Sequence, residues 1–378
     1  MNAPLPAGCE PTCHGCQHRA LDAAASAAQK ESYLRRALAP WAERLAPLAV
    51  PAQRLGYRER VSLNAEHQGG RWRFGLVRHR ERRDEFIAIP DCPVHAPRVN
   101  AALAALATAL PPPAALPLGF VVARGAQLTL VVKARELAAG LAAALGATLA
   151  APLAAAGYEA LWLHLHASTG RRLFTRSGWR LLWGAPRSRD ADGDAYGPTA
   201  FAQNHPALHG AALARALEHL APGPERALVD LYCGVGKLAR RARARGAPVV
   251  AVELSGEAVA CAADNAPGAT VLRGTCAQRL PQLAAWCASA PPTPVLYCNP
   301  PRSGLEPAVA AWIAGALHPV RGAYLSCSAG SLARDLVLLE AGGLRVEALL
   351  PYDLFPQTQH VEVLALLARA PASSATLG

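Results

Sequence analysis

The sequence predicts an α/β protein of two domains, with a doubly wound parallel sheet in the C-terminal half and an antiparallel sheet in the N-terminal half. The first observation is an apolar strand that runs into Gly234-Val235-Gly236, then a helix and a second strand at 248–252. The second is that later apolar runs stop at polar or reactive residues, Asn299 and Cys327. The third is a hairpin signal at Gly69-Gly70, which is typical of an antiparallel α+β domain.

The chain of 378 residues is long enough for two hydrophobic cores. We place an α+β domain at 1–193, a Rossmann-like domain at 194–369 and a disordered tail at 370–378. A broadly helical pattern at about 28–49, interrupted by Pro40 and Pro47, is a candidate to pack on the C-terminal domain.

The positive charge is concentrated in the first half. The formal net charge is +11, and residues 1–193 hold 24 Lys+Arg against 14 Asp+Glu, whereas residues 194–378 hold 14 against 13. A basic half beside a neutral half indicates that one domain meets a polyanion while the other holds a smaller ligand. A GC-rich genome would explain why Arg replaces Lys, but not the asymmetry.

Nothing in the sequence indicates a membrane protein. No apolar run reaches the roughly 18 residues that a span needs, and no basic-then-apolar leader opens the chain. We expect a cytoplasmic protein without membrane contact and without an obligate protein partner. In that setting the ten cysteines favour metal-binding or catalytic roles over a disulfide framework.

Three cysteines lie close together near the start of the chain, in a loop-like segment. Cys9, Cys13 and Cys16 suit an iron–sulfur cluster or another soft metal, and Cys92, in a second turn-like context, is the best fourth ligand. The competing metal is zinc, held by three Cys and by a fourth Cys or a nearby His. The remaining alternative is that these residues are surface thiols that bind no metal.

Arginine and aromatic residues alternate along the predicted hairpin. On a sheet, such a pattern can neutralise phosphates and stack exposed bases, although any single Arg could simply face solvent. The residues concerned are Tyr57, Arg58, Arg60, Arg71, Trp72, Arg73, Phe74, Arg78, Arg80, Arg82 and Arg83.

The C-terminal motifs follow the order expected of a nucleotide-binding sheet. Two glycines, preceded by an acid and followed by Glu253 at the end of the second strand, suit S-adenosylmethionine better than a dinucleotide. Asn299-Pro-Pro is typical of amine-directed methyltransferases, but Arg302 stands where those enzymes place a stacking aromatic residue. Cys327 stands where a nucleophile would, and Glu362 is an acid in an otherwise apolar strand.

Taken in this order, the motifs resemble the RNA uracil-5-methyltransferase family, and within it the iron–sulfur members that act on 23S rRNA. The resemblance spans most of the chain. Its carriers are Gly56-Tyr57-Arg58, Phe201-x-Gln203-x2-Pro206, Asp230-Leu-Tyr-Cys-Gly-Val-Gly, Asn299-Pro-Pro-Arg-x-Gly304, Ser326-Cys327, Leu332-Ala-Arg-Asp335 and Phe355-Pro-x-Thr-x-His-Val-Glu362, together with the cluster cysteines.

The resemblance implies an S-adenosylmethionine-dependent enzyme that methylates carbon 5 of a uridine through a covalent Cys–uracil adduct. By position, the nucleophile is Cys327 and the proton-abstracting base is Glu362. The implied cofactor-binding residues are Gln203, Tyr232, Gly234, Glu253 and Asn299. The implied ligands of a [4Fe–4S] cluster are Cys9, Cys13, Cys16 and Cys92.

Some positions depart from the family pattern. Ser328-Ala329 follow the nucleophile where Asn-Pro is common, Asn299 stands where many members have Asp, and the spacing from Cys9 to Cys13 is tighter than expected. Three alternatives remain open: the same chemistry on tRNA, an amine-directed nucleic-acid methyltransferase, and an RNA-binding metal-cluster protein with an inert methyltransferase fold.

Overall fold

The computed structural model describes residues 4–81, 84–168, 173–200, 203–291 and 293–369, so the expected tail at 370–378 lies outside the described residues. The chain divides into two compact units, one formed by Met1–Asp22 and Ala52–His205, the other by Ala23–Pro51 and Pro206–Gly378. Within the described ranges, no helix is both long and apolar enough to cross a membrane.

Helices and strands follow one another along the chain as expected of an α/β protein. In chain order, the elements up to the end of the first unit are α1 (Ala23–Ala37), a 3-10 helix (Ala39–Arg44), β1 (Arg60–Gln68), β2 (Arg71–Arg78), β3 (Glu85–Ala88), α2 (Pro97–Ala109), β4 (Leu118–Arg124), β5 (Gln127–Val132), α3 (Leu141–Ala155), β6 (Ala160–Leu165), β7 (Trp179–Gly184), β8 (Ser188–Arg189) and β9 (Ala195–Tyr196). The later elements are α4 (Pro206–Leu220), β10 (Leu228–Leu231), α5 (Lys237–Arg243), β11 (Val249–Glu253), α6 (Gly256–Asn265), β12 (Thr270–Arg273), α7 (Cys276–Ser289), β13 (Val295–Cys298), α8 (Pro307–Trp312), a π-helix (Ile313–Leu317), β14 (Arg321–Ser326), α9 (Ala329–Ala341), β15 (Leu344–Tyr352) and β16 (Glu362–Arg369).

The first unit is built on a seven-stranded sheet of order β3-β2-β1-β4-β5-β6-β7, in which β5 and β6 are parallel and the other neighbours are antiparallel. The predicted hairpin joins β1 to β2, and Gly69 and Gly70 lie in its turn with φ of 61° and 77°. A two-residue turn with two positive φ angles matches the twist of the flanking strands, which is why two glycines occur there.

The second unit contains a seven-stranded sheet of order β12-β11-β10-β13-β14-β16-β15. The pairs from β12 to β14 are parallel, whereas β16 is antiparallel to both β14 and β15. The strand order reverses direction between β10 and β13, and ligands of open α/β sheets bind outside the carboxyl ends of the strands at such a point. This sheet confirms the predicted Rossmann-like fold class.

Helix α1 belongs to the second unit although it precedes the first sheet in the sequence. Its Leu34 and the following Leu38 are fully buried in the same core as the parallel strands. Lys30 is also buried, and its Nζ donates to Asp353 Oδ1 at 2.6 Å and to the Phe355 carbonyl at 3.1 Å. The helix therefore anchors the segment that connects β15 to β16.

Candidate active site

The loop after β10 and the end of β11 are joined by one carboxylate. Glu253 accepts a hydrogen bond from the Gly234 N–H at 3.1 Å on one oxygen and from the Ser255 N–H at 2.8 Å on the other. Gly234 and Gly236 have φ of 58° and 78°, a region that other residues seldom adopt. The predicted pair Gly234 and Glu253 therefore lies together at the edge of the sheet.

Tyr232 opens this loop in a backbone conformation that is uncommon for its residue type. Its φ is 59°, and its hydroxyl lies 3.4 Å from Glu306, which also accepts the Ala277 N–H at 3.2 Å. The side chain packs against the core and holds the backbone in this conformation. Such backbone strain is concentrated at functional sites, and here the phenol itself faces Glu306.

Asp230, at the centre of β10, is a buried carboxyl group without a well-formed hydrogen bond. Its side chain is 1% exposed, and neither oxygen has a hydrogen-bond partner among the residues that the structure describes. Burial raises the pKa of Asp230 to about 8, although the nearby Ala239 N–H favours the charged form. An unsatisfied buried acid is costly, so its presence beside the Gly-x-Gly loop indicates a site completed by a ligand or by bound water.

Asn299 follows β13 on the other side of the point where the strand order reverses. Its N–H donates to the Leu231 carbonyl at 3.3 Å, which fixes the turn after β13 beside the strand that feeds the Gly-x-Gly loop. The structure thus brings Tyr232, Gly234 and Asn299 to one edge of the second unit. Gln203 is half-buried and lies in the other compact unit, while Phe201 falls outside the described residues.

Cys327 directly follows β14, and Glu362 is the first residue of the neighbouring strand β16. The antiparallel register ends with Ser326 paired with Val363, so Cys327 and Glu362 are the residues next to that pair, at the same end of the two strands. Cys327 is half-buried and Glu362 is 2% exposed, so the carboxylate is screened from solvent while the thiol is reachable.

The charges around Cys327 act in opposite directions on its thiol. Burial raises the pKa of Cys327 above its ordinary value, the Glu362 carboxylate raises it further, and the Arg302 guanidinium beside the thiol lowers it. Arg302 Nη2 also lies 3.2 Å from His360 Nε2. The sequence motifs alone indicate no role for Arg302 or His360, because only the folded chain brings their two turns close to Cys327.

The residues after Cys327 form a helix cap. The Ser328 hydroxyl accepts the Ser331 N–H at 3.4 Å and caps α9, while Ser326 Oγ donates to the Ser328 carbonyl at 3.0 Å. Cys327 therefore precedes the N-terminus of a 13-residue helix, where the peptide dipoles favour a thiolate. Ser328-Ala329, which stand where the family commonly has Asn-Pro, are therefore compatible with a capped helix at this position.

The four predicted metal ligands converge within the first unit. Cys9, Cys13 and Cys16 lie in the loop before α1, Cys92 lies in the turn after β3, and all four are free thiols with respect to disulfides in the described part of the chain. Burial, together with the smaller effect of the other three thiols and against that of Arg58, raises the pKa of Cys16 to about 11. The pKa of Cys92 is similarly raised by burial and by Cys13, so the thiols lie within electrostatic reach of one another.

No three of the four Sγ atoms lie within 4.8 Å of one another. Among the described residues, the only group of three or more metal-ligating atoms within 4.8 Å of one another is Asp190, Asp192 and Asp194. Four thiolates around one zinc ion, each about 2.3 Å from the metal, would lie inside that limit. Ligands of a cluster lie farther apart because each binds a different iron.

The expectation that aromatic residues of the hairpin stack exposed bases is wrong for the described residues. Trp72 and Phe74 are each 4% exposed and Tyr57 is 7% exposed, so all three belong to the buried side of the fold. Arg71 and Arg73 alternate with them and face outward, and Arg73 forms an ion pair with Glu66 at 2.8 Å. Side chains along a strand point to opposite faces in turn, so the alternation separates the two residue types. Arg82 and Arg83 lie outside the described residues.

Known proteins resemble the chain over nearly its whole length. An uncharacterised RNA methyltransferase of Thermosynechococcus vestitus is 30% identical over 383 residues, which cover 94% of this chain and 82% of the relative. The 23S rRNA (uracil(1939)-C(5))-methyltransferase of Thiobacillus denitrificans is 32% identical over 384 residues, which cover 94% of this chain and 83% of the relative. No protein-family model matches the chain.

The fold also has a solved counterpart. The tRNA (uracil-54, C5)-methyltransferase of Pyrococcus abyssi, in complex with S-adenosyl-L-homocysteine, matches with a TM-score of 0.68 at 19% identity and covers 95% of this chain and 87% of that chain. At this identity the match establishes a common fold. The relative from Thiobacillus denitrificans, 32% identical and covered over 83% of its length, shows that the chain belongs to the RNA uracil-5-methyltransferase family.

Proposed function

We propose that the protein methylates carbon 5 of a uridine in RNA, most specifically in 23S rRNA, with S-adenosylmethionine as methyl donor. The observation that supports the proposal is that Cys327, directly after β14, and Glu362, at the start of β16, lie at the same end of two paired strands and that the carboxylate acts on the thiol. The reaction needs one nucleophile and one base on the same uracil ring, and these two side chains supply them.

The chemistry assigns a separate task to each side chain. The Cys327 thiolate adds to carbon 6 of uracil, which converts the ring to an enolate whose carbon 5 is nucleophilic. Bound S-adenosylmethionine supplies the methyl group, which leaves the sulfonium sulfur as carbon 5 attacks it. Glu362 then takes the proton from carbon 5, and the electron pair of that bond expels the cysteine from carbon 6 as a thiolate.

Arg302 supports the first of these steps. Its guanidinium lies beside the thiol and favours the charged form, which offsets the effect of burial and of Glu362. Without that offset, the negative carboxylate opposite would oppose formation of the thiolate. We therefore assign Arg302 to thiolate stabilisation and His360 to the orientation of Arg302.

The residues around the Gly-x-Gly loop fit S-adenosylmethionine. Glu253 lies where a carboxylate can accept ribose hydroxyls, while Gly234 and Asn299 flank the point of strand reversal. The unsatisfied carboxyl of Asp230 suits the cationic amino-acid end of the cofactor, directly or through water. Tyr232 would contribute its backbone, and Gln203 stays a prediction from the family resemblance.

We propose that Cys9, Cys13, Cys16 and Cys92 hold a [4Fe–4S] cluster. Support comes from four thiols on two loops and from their electrostatic influence on one another. A cluster would tie the segment before α1 to the turn after β3, so a structural role is the expectation. Zinc is the less favoured alternative.

RNA is the proposed partner, and the chain offers positive charge for it. Counted by compact unit, the first holds 20 Lys+Arg against 13 Asp+Glu and the second 18 against 14. The excess is still larger in the first unit, but α1 and the following 3-10 helix carry four basic residues into the second. Both units can therefore contribute to phosphate contacts. A cytoplasmic location stays a prediction.

The proposal is tested by trapping the covalent adduct. With 23S rRNA fragments containing 5-fluorouridine, the wild-type protein and S-adenosylmethionine should give a complex that survives denaturation. Cys327→Ala should form none while still binding the cofactor, and Glu362→Gln should accumulate adduct on ordinary uridine.

Nucleoside mass spectrometry identifies the product. Methyluridine in 23S rRNA supports the proposal, methyluridine found only in tRNA changes the substrate, and methyladenosine or methylguanosine favours the amine-directed alternative. Appreciable turnover by Cys327→Ala would refute the mechanism, and absence of any methyl transfer would favour an inert RNA-binding protein.

A further inference from the structure

Asp335, in the second turn of α9, accepts hydrogen bonds from two separate parts of the second unit. The residue is 1% exposed, and its Oδ2 accepts the Leu305 N–H at 2.8 Å and the Tyr324 hydroxyl at 2.7 Å. Leu305 ends the turn that begins at Asn299, and Tyr324 lies on β14. One carboxylate oxygen therefore joins that turn to that strand.

The second oxygen completes the connection through Arg334. Asp335 Oδ1 accepts from Arg334 Nε at 2.9 Å and from Nη2 at 2.7 Å, and Nη2 also donates to the Ser303 carbonyl at 2.8 Å. Gly304 has φ of 81°, and a Cβ there would lie 2.4 Å from Asp335 Oδ2. The turn can approach the carboxylate this closely only because residue 304 is glycine.

This hydrogen-bond network joins two parts of the chain: the turn that carries Arg302 and the strand that leads to Cys327. Ser303 directly follows Arg302, whose guanidinium lies beside the Cys327 thiol. Tyr324 lies on the strand that ends just before Cys327. Fixing Ser303 and Leu305 to Tyr324 therefore fixes the start of the Arg302 side chain relative to the thiol.

We propose that Asp335 is a positioning residue that holds Arg302 beside Cys327 and so sets the reactivity of the nucleophile. The inference deepens the proposed function and rests on Cys327 being the nucleophile. A purely structural role predicts only a loss of stability when Asp335 is changed. A positioning role predicts, in addition, that the pH dependence of alkylation of the Cys327 thiol changes while the fold is retained.

The test measures the alkylation of Cys327 by iodoacetamide as a function of pH, on full-length protein without RNA or S-adenosylmethionine. Mass spectrometry resolves the Cys327 peptide from those of the other cysteines. The charged groups that face the thiol are Glu362 from β16 and Arg302 from the turn after β13, with His360 behind Arg302. Arg302→Gln removes the guanidinium itself, so this variant gives the largest expected shift in the pH midpoint of Cys327 alkylation.

Asp335→Asn keeps the shape of the side chain but cannot accept all four hydrogen bonds. We expect the alkylation midpoint to rise by about one pH unit and the rate at pH 7.5 to fall about tenfold, approaching the Arg302→Gln value. Glu340→Gln is the matched control on the same helix, because Glu340 accepts the Trp41 indole N–H at 3.0 Å and the Val346 N–H at 3.2 Å, away from the turn. It should leave the midpoint unchanged.

A second variant covers the case in which Asp335→Asn fails to fold. Tyr324→Phe removes one hydroxyl at nearly constant volume and should raise the midpoint by a smaller amount. A wild-type midpoint in folded Asp335→Asn, or in Tyr324→Phe when the first variant does not fold, overturns the proposal. Because no RNA is present, failure of adduct trapping would refute the proposed function without affecting this result.

Discussion

Asp230 should make the free protein less stable as the pH rises, and Asp230→Asn should remove that dependence. Burial raises the pKa of Asp230 in the folded protein to about 8, from an ordinary value of 3.8. Between these values the folded state keeps a proton that the unfolded state releases, so the free energy of unfolding falls with rising pH. Below pH 4 the group has no such effect.

The expected size follows from the width of that window. One titrating group changes the free energy of unfolding by at most about 1.4 kcal/mol per pH unit, so the wild type should lose about 3 kcal/mol from pH 5 to pH 7 relative to Asp230→Asn. All other titrating groups are common to the two proteins and cancel in the difference. An amide left without partners has its own cost, so the slope is more informative than the absolute stability.

The assay is urea unfolding of both proteins at pH 5, 6 and 7, with and without S-adenosylmethionine. In the free proteins the difference should grow steadily with pH in favour of the variant. Saturating cofactor should favour the wild type, because the cationic end of the cofactor or a bound water then satisfies the carboxylate. A stability difference that is flat from pH 5 to pH 7 would refute the assignment of Asp230 as an unsatisfied acid.

Three further predictions concern other parts of the molecule. Lys30→Met leaves the buried Asp353 carboxylate without its ion-pair partner and should lower the free energy of unfolding in urea by about 3–5 kcal/mol. Adding Asp353→Leu should restore most of that free energy. Equal stability of the single and double variants would contradict a buried pair. Arg302→Gln should slow alkylation of Cys327 about tenfold at pH 7.5, and an unchanged rate would show that the guanidinium does not act on the thiol. Cys92→Ser, purified without oxygen, should lose iron and visible absorbance, while zinc in the wild type would contradict the cluster.

The sequence was sufficient where a feature depends on local pattern or on a recognised motif. Apolar runs followed by polar residues predict the parallel strands that end at Glu253, just before Asn299 and just before Cys327, and two adjacent glycines predict the hairpin. These features depend on few neighbours, so a short window of sequence determines them. The roles of Cys327 and Glu362 come from the family resemblance and stay predictions, although the two residues lie at the same end of β14 and β16.

The sequence was insufficient where distant segments meet. The contact of Arg302 with the thiol, and the bonds from Asp335 to Leu305 and Tyr324, depend on how a turn, a helix and a strand pack. Lys30 is separated from Asp353 by more than 300 residues of chain, so no local pattern relates them. The burial of Trp72, in contrast, was available from the sequence, because alternation along a strand already separates inward from outward residues.

The antiparallel strand β16 explains how the proposed base comes close to the proposed nucleophile. In a wholly parallel sheet, every residue at the reactive edge must follow the end of a strand, and the connecting turns then compete for the same space. Because β16 runs in the opposite direction to β14, its first residue, Glu362, lies at the edge where β14 ends, within electrostatic reach of Cys327. The base is therefore held by strand hydrogen bonds rather than by a loop, which suits a group that must meet carbon 5 of uracil on the ring that the thiolate has already bonded. The same register fixes the spacing of the two groups, so shifting β16 by one residue would turn Glu362 to the other face of the sheet.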